Sequence, residues 1–118
     1  MDAQQYLNTR YPRGVRENIR NLTLRDLAGA NVNLNGFNNL EKAAFFNSSF
    51  ANLNISNLRN LKKVLLAYNS AANINIVNCP NLENVYLVGN SFAAINIQNQ
   101  YHSFVEIPIN CIWSRQGN

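Results

Sequence analysis

The feature that most constrains this chain is a repeat with a period of 21 residues. Its first motif recurs three times, as Asn39-Leu40-Glu41-Lys42, Asn60-Leu61-Lys62-Lys63 and Asn81-Leu82-Glu83-Asn84. A second motif keeps the same spacing, as Ala51-Asn52-Leu53-Asn54-Ile55, Ala72-Asn73-Ile74-Asn75-Ile76 and Ala94-Ile95-Asn96-Ile97. Self-similarity at such a period predicts a solenoid, in which each repeat packs only against its neighbours.

Alignment on this period produces five apolar columns. They are Ile19/Leu40/Leu61/Leu82, Leu22/Ala43/Val64/Val85, Leu24/Phe45/Leu66/Leu87, Val32/Leu53/Ile74/Ile95 and Leu34/Ile55/Ile76/Ile97. The first three are spaced as L-x-x-L-x-L, which is the signature of leucine-rich repeats, and 21 residues lies within their usual length. Asn69 and Asn90 supply the Asn of that motif, whereas Leu27 and Ser48 stand there in the first two repeats.

We therefore predict a leucine-rich-repeat solenoid that is mainly β, with a parallel sheet on its concave face. The return segment alternates apolar and polar residues, as in Asn73-Ile74-Asn75-Ile76, and predicts a second short strand or extended run. Two extended arms and two turns use up 21 residues, so few or no helices are expected within the repeats. Asn makes up about a fifth of the chain and disfavours helix interiors. One outward Asn column, Asn33/Asn54/Asn75/Asn96, is expected to form an amide ladder.

The whole chain, 1–118, is expected to be one domain. Residues 1–18 are predicted to be an N-terminal cap that contains a short helix, with Asp2 as its N-cap and Tyr11-Pro12 ending it. Residues 19–100 form about four repeats, and 101–118 form an irregular last repeat and tail. A fifth turn is expected to begin at Phe104, one residue out of phase. The last strand either shields the core itself or leaves an edge that meets another molecule.

The segment Tyr6-Leu7-Asn8-Thr9-Arg10-Tyr11-Pro12, the array Ile19-x-x-Leu22-x-Leu24 and the Asn-Leu-Glu and Asn-Cys-Pro-Asn-Leu turns resemble a group of Asn-rich leucine-rich-repeat proteins of a fungal type. In that group a short helix of the pattern Y-L-x-x-x-Y-P precedes the array. The resemblance covers roughly residues 2–100. It implies a protein-interaction array that is often attached to other domains. This chain is expected to depart from the group in two ways, with an array of about five turns and no second domain.

The candidate binding surface lies on the outward side chains of the predicted concave strands. Their columns are Asn21/Lys42/Lys63/Asn84/Glu106, Thr23/Ala44/Leu65/Tyr86/Pro108, Arg25/Phe46/Ala67/Val88/Asn110 and Asp26/Asn47/Tyr68/Gly89/Cys111. Five large apolar members would form a continuous patch, namely Phe46, Leu65, Tyr68, Tyr86 and Val88, with Lys42 and Lys63 beside them. Such patches usually mark interaction sites. The other explanation is that the chain's own C-terminal segment covers the patch.

The functional prediction is a non-catalytic scaffold that binds a protein partner, or a second copy as a homodimer, through this face. The alternative is binding to nucleic acid or an acidic surface through Arg10, Arg13, Arg16, Arg20 and Arg25, which produce most of the net charge of +4. A merely solvated basic surface is the favoured explanation of the arginines, so neither nucleic acid nor a membrane is the expected partner.

No catalytic group, metal site or cofactor is predicted. His102 has no evident acidic partner, and Cys111 has no base beside it. Cys79 shares a column with Phe37 and Leu58, which favours a buried thiol. Two cysteines imply no disulfide framework. The first ten residues contain no apolar run as long as that of a signal peptide, and no apolar stretch is long enough to span a membrane. A cytoplasmic location is therefore expected.

Overall fold

A computed structural model describes residues 2–99, 102–106 and 112–114, with side chains up to residue 98. The described chain contains one α-helix, α1 (Ala3–Arg10), and a short 3-10 helix (Arg16–Asn18). Ten strands follow: β1 (Asn21–Arg25), β2 (Ala28–Asn33), β3 (Lys42–Phe46), β4 (Ser49–Ser56), β5 (Lys63–Ala67), β6 (Ser70–Val77), β7 (Asn84–Val88), β8 (Ser91–Asn99), β9 (His102–Glu106) and β10 (Ile112–Ser114). The predicted solenoid, mainly β with an N-terminal helix and no described helix inside a repeat, is confirmed.

Each coil contributes one strand to each of two sheets. The first sheet has the order β1-β3-β5-β7-β10, and the second has the order β2-β4-β6-β8-β9. Within both, the coils pair in parallel at the 21-residue offset, so that Leu24 lies opposite Phe45, Phe45 opposite Leu66, and Leu66 opposite Leu87. The return segments thus form a full sheet, and its parallel strands β2, β4, β6 and β8 are longer than the strands of the first sheet.

The core is the space between the two sheets. In both sheets the side chains of the predicted columns point inward, and all of these are buried except Ile19, which is partly exposed and packs against the core. Phe37, Leu58 and Cys79 close the core at one turn. The burial of Cys79 raises the pKa of its thiol, so little of it is thiolate at neutral pH.

The two corners of each coil use left-handed backbone conformations. After the first-sheet strands the corner residues are Asp26, Asn47, Tyr68 and Gly89, all with φ between 51° and 63°. At the other corner Gly36, Asn57 and Asn78 have positive φ as well. Asn, Asp and Gly tolerate this region, which explains part of the Asn enrichment.

Asn side chains connect successive coils in rows. The predicted row is confirmed for Asn54, Asn75 and Asn96: the Asn75 amide donates to Asn54 Oδ1 at 3.1 Å, and the Asn96 amide donates to Asn75 Oδ1 at 3.0 Å. A parallel row, which was not predicted, joins Asn31, Asn52 and Asn73 at 2.8 and 3.0 Å.

The N-terminal segment caps one end of the core as predicted. The carboxylate of Asp2 accepts a hydrogen bond from the N–H of Gln5 at 2.9 Å, and the buried Leu7 belongs to the core cluster. Arg16 fixes the following loop by donating to the carbonyls of Tyr11 and Asn35 at 2.6 and 2.8 Å and to Asn8 Oδ1 at 2.7 Å. Burial lowers the pKa of Arg16, and the charge of the nearby Arg13 lowers it further.

The expectation that Phe104 begins a fifth parallel coil is wrong. The strand that contains Phe104, β9, turns back and pairs antiparallel with β8, so Glu106 lies opposite Asn96 in the second sheet and not in the first-sheet column. Because the chain reverses after β8, β9 forms hydrogen bonds directly with the backbone groups at the edge of β8. A further coil of the solenoid is not needed to satisfy them. The predicted column members Pro108, Asn110 and Cys111 lie outside the described residues.

Candidate protein-binding surface

The outward face of the first sheet carries the residues that the sequence singled out. Strand register places Ala44, Leu65 and Tyr86 directly opposite one another on β3, β5 and β7, and Phe46, Ala67 and Val88 form the next row. Adjacent strands lie about 4.8 Å apart, so each row is continuous. The face therefore unites Phe46, Leu65, Tyr86 and Val88 as predicted.

The two alanines expected on this surface contribute little to it. Ala44 and Ala67 are each only 6% exposed, because they are short side chains between larger outward neighbours. Leu65, Phe46 and Tyr86 are half-buried, whereas Val88 is 48% and Tyr68 is 66% exposed. The accessible apolar surface is thus concentrated towards the corner that follows β5 and β7.

Tyr68 has an unusual backbone for so large a residue. Its φ is +58°, in the left-handed region that Asn47 and Gly89 occupy on either side. Its ring lies over Gly89, because a Cβ built there would be 2.6 Å from the ring carbons Cδ1 and Cε1. Sequence reasoning placed Tyr68 at the surface but missed this conformation; the corner column Asp-Asn-Tyr-Gly was the available signal.

Phe46 is shielded on one side by a cation. The guanidinium of Arg25 lies 4.4 Å from the centre of its ring, in cation–π geometry. In the corner below, the amide of Asn47 donates to Asp26 at 2.7 Å. These charged and polar groups of the first coil form the N-terminal boundary of the apolar face.

Two lysines border the face. Lys42 and Lys63 are exposed and lie directly opposite each other on β3 and β5. Like charges in this arrangement repel, and within the described residues neither lysine forms an ion pair, unlike Arg20, which contacts Glu41 at 2.9 Å. An acidic group on a partner would relieve this repulsion.

The C-terminal segment does not cover this face where it is described. Strand β10 pairs antiparallel with β7, with Ile112 opposite Tyr86. It therefore extends the first sheet in its own plane and lies beside the apolar rows. This position leaves the described surface around Leu65 open.

A cleft lies between the cap and the second sheet. It measures about 790 Å³, and its lining includes Gln4, Asn8, Arg16, Asn33 and Asn35. These groups bond to one another: Gln4 Oε1 accepts from the N–H of Asn33 at 2.9 Å, and Arg16 uses Asn8 and Asn35. These hydrogen bonds hold the cap against the first coil, and the lining residues Arg13, Glu17 and Asn38 take no part in them.

Among the described residues, no three His, Cys, Asp or Glu side chains come together in a way that could hold a metal ion. The side chains of His102 and Cys111 lie outside the described set. No described helix combines the length and apolarity needed to cross a membrane. No protein-family model matches the chain, and no curated protein sequence or solved structure matches it either.

Proposed function

We propose that this protein is a non-catalytic interaction scaffold whose first-sheet face binds another protein, with a second copy of the chain as one possible occupant. Leu65 and Tyr86 form the centre of this surface, Phe46, Tyr68 and Val88 extend it, and Lys42 and Lys63 form a charged rim. A face of this composition matches protein interfaces, in which aromatic residues are enriched at the core and charges at the edge.

The single observation that carries the proposal is Tyr68. A bulky residue in the left-handed region costs about 1 kcal/mol or more, and an exposed ring regains little of this by burial. An asparagine at position 68, like Asn47 at the equivalent corner of the preceding coil, would avoid that penalty. A large apolar ring held exposed at such a position is explained if it contacts a partner.

The alternative, binding of nucleic acid or an acidic surface by the N-terminal arginines, has less support. Arg16 is committed to three acceptors inside the cap, and Arg20 is paired with Glu41. Phosphate binding needs several cationic side chains that are free to follow a nucleic-acid backbone.

We also expect a cytoplasmic, reducing environment, which suits the free and buried Cys79.

The test is a double variant, Leu65→Ser with Tyr86→Ser. We expect it to fold, since neither side chain lies between the sheets, and to lose association, because central anchors commonly contribute about 2 kcal/mol or more. The molar mass of wild type and variant, measured by light scattering over a wide concentration range, reports self-association. Melting curves report the fold.

A matched control changes outward residues of the other sheet, Ala51→Ser with Ala72→Ser, both exposed on β4 and β6. This control should associate like wild type. If the double variant unfolds, the face serves the interior and the proposal is wrong. If both variants associate equally, the interface lies elsewhere. For a protein that stays monomeric, a photocrosslinking group at position 86 compared with one at position 51 tests binding of a different protein.

A further inference from the structure

One edge of the first sheet is open at the N-terminal end. Strand β1 is the terminal strand, pairs only with β3, and keeps a regular register along its five residues. The helix α1 covers β2 and has no Cα within 8 Å of a β1 Cα. No other described helix or strand occupies the outer side of β1.

The backbone groups at this edge can be assigned from the ladder. The carbonyl of Arg20 accepts from Lys42, and the N–H of Asp26 donates to the carbonyl of Phe46, so both face β3. Successive residues of a strand alternate sides, so Leu22 and Leu24 face β3 as well. The N–H and C=O groups of Asn21, Thr23 and Arg25 therefore point away, and no described group hydrogen-bonds with them.

The other strand edges are covered, paired or short, whereas the outer edge of β1 is none of these. Helix α1 protects β2: the N–H of Asn33 donates to Gln4 Oε1, and Asp2 bridges to Ala28. Strand β9 pairs with the edge of β8, and β10, on β7, has only three residues. Folded proteins normally shield an edge with a charge, a proline, a bulge or a covering element. Strand β1 has one charge, Arg25, and its guanidinium is drawn onto Phe46 of the next coil.

Strand β1 and the segment before it carry a positive charge. Residues 10–26 contain five arginines, Glu17 and Asp26, a formal +3. Arg16 is hydrogen-bonded within the cap and Arg20 pairs with Glu41, so Arg10, Arg13 and Arg25 are the arginines of this segment that have no acidic partner among the described residues. A second copy suits the edge poorly, because α1 stands beside it on the same end of the solenoid and would meet its counterpart. A single extended peptide can lie along β1 without this clash, because it has no helix of its own.

We propose that the outer edge of β1 binds an acidic peptide in an extended conformation, which joins the first sheet as an additional strand. Its backbone supplies the partners that the main-chain groups of Asn21, Thr23 and Arg25 lack, and its carboxylates complement the guanidinium groups of Arg10, Arg13 and Arg25. This site is distinct from the apolar face centred on Leu65 and Tyr86.

The experiment titrates the full chain with a capped heptapeptide of alternating glutamate and valine, and follows hydrogen exchange of the backbone amides. We expect saturable binding with slower exchange at residues 21, 23 and 25. Thr23→Pro removes an outward N–H that the ladder does not use and should weaken binding about tenfold or more while the fold is kept. Leu24→Pro, which removes an inward N–H, should instead disrupt the first coil.

Thr23→Glu and Thr23→Lys form a matched pair that decides the question if the proline variant fails to fold. Glutamate should weaken binding and lysine should preserve or strengthen it. Equal binding of a peptide methylated at alternate backbone nitrogens would overturn the proposal, since charge alone would then suffice. Absence of binding, protection at other residues, or concentration-dependent protection without peptide, which would indicate a second copy, would overturn it as well.

Discussion

At the scale of the residue, the corner columns show how position overrides side-chain preference. Every coil must turn from the first sheet into the second through one left-handed residue, and three coils place Asp26, Asn47 and Gly89 there. Tyr68 adopts the same conformation because its neighbours above and below fix the backbone: its N–H donates to the carbonyl of Val88 at 2.9 Å. Gly89 then provides room for the ring.

Tyr68→Asn should therefore separate stability from binding. We expect the free energy of unfolding to stay unchanged or rise by up to about 1 kcal/mol, because Asn tolerates positive φ. Association through the first-sheet face should weaken. Denaturant melts and light scattering check the two effects. A destabilisation above about 1 kcal/mol would show that the ring stabilises the fold through its contact with Gly89.

At the scale of the element, the buried row Ser48, Asn69 and Asn90 connects the first-sheet corners through the interior. Asn69 Oδ1 accepts from the N–H of Ser48 at 3.0 Å, and its amide donates to the carbonyl of Phe45 at 2.9 Å. Asn90 repeats this one coil later, accepting from Asn69 and donating to Leu66. The row satisfies backbone groups that the turn removes from the sheets.

Asn69→Ala should be strongly destabilising. It leaves the buried N–H of Ser48 without an acceptor and removes one of the hydrogen bonds to the Phe45 carbonyl. A buried group without a partner costs about 1–3 kcal/mol, so we expect a loss of roughly 2–3 kcal/mol in the free energy of unfolding. Urea melts measure it. Asn73→Ala is the control: it removes an amide of a partly exposed row and should cost about 1 kcal/mol or less. Similar losses in the two variants would show that the buried row has no special role.

At the scale of the whole molecule, the solenoid depends on its covered end. The side chains of Ala3 and Leu7 are fully buried, and the ring of Tyr11 packs edge-to-face on Phe37 with centroids 5.8 Å apart. Each repeat contacts only its neighbours, so the first coil has no other source of cover on this side.

Removal of residues 1–12 should lower the melting temperature by about 10 °C or more and promote aggregation, because it exposes the first coil's core. Thermal melts with light scattering detect both effects. Gln5→Ala, an exposed substitution in the same helix, should leave melting nearly unchanged. A truncated protein that melts like the full chain would contradict the capping role.

The sequence by itself determined the repeat, the inward columns, the N-terminal helix and the outward position of Leu65, Tyr86, Tyr68 and Val88. These follow from periodicity, because one residue type recurs wherever a side chain must be buried. The tertiary structure alone decided which way the chain runs after β8, that Tyr68 has a left-handed backbone, and that β1 keeps an open edge. These features depend on pairing between distant segments, for which the spacing of residues within one repeat contains no signal.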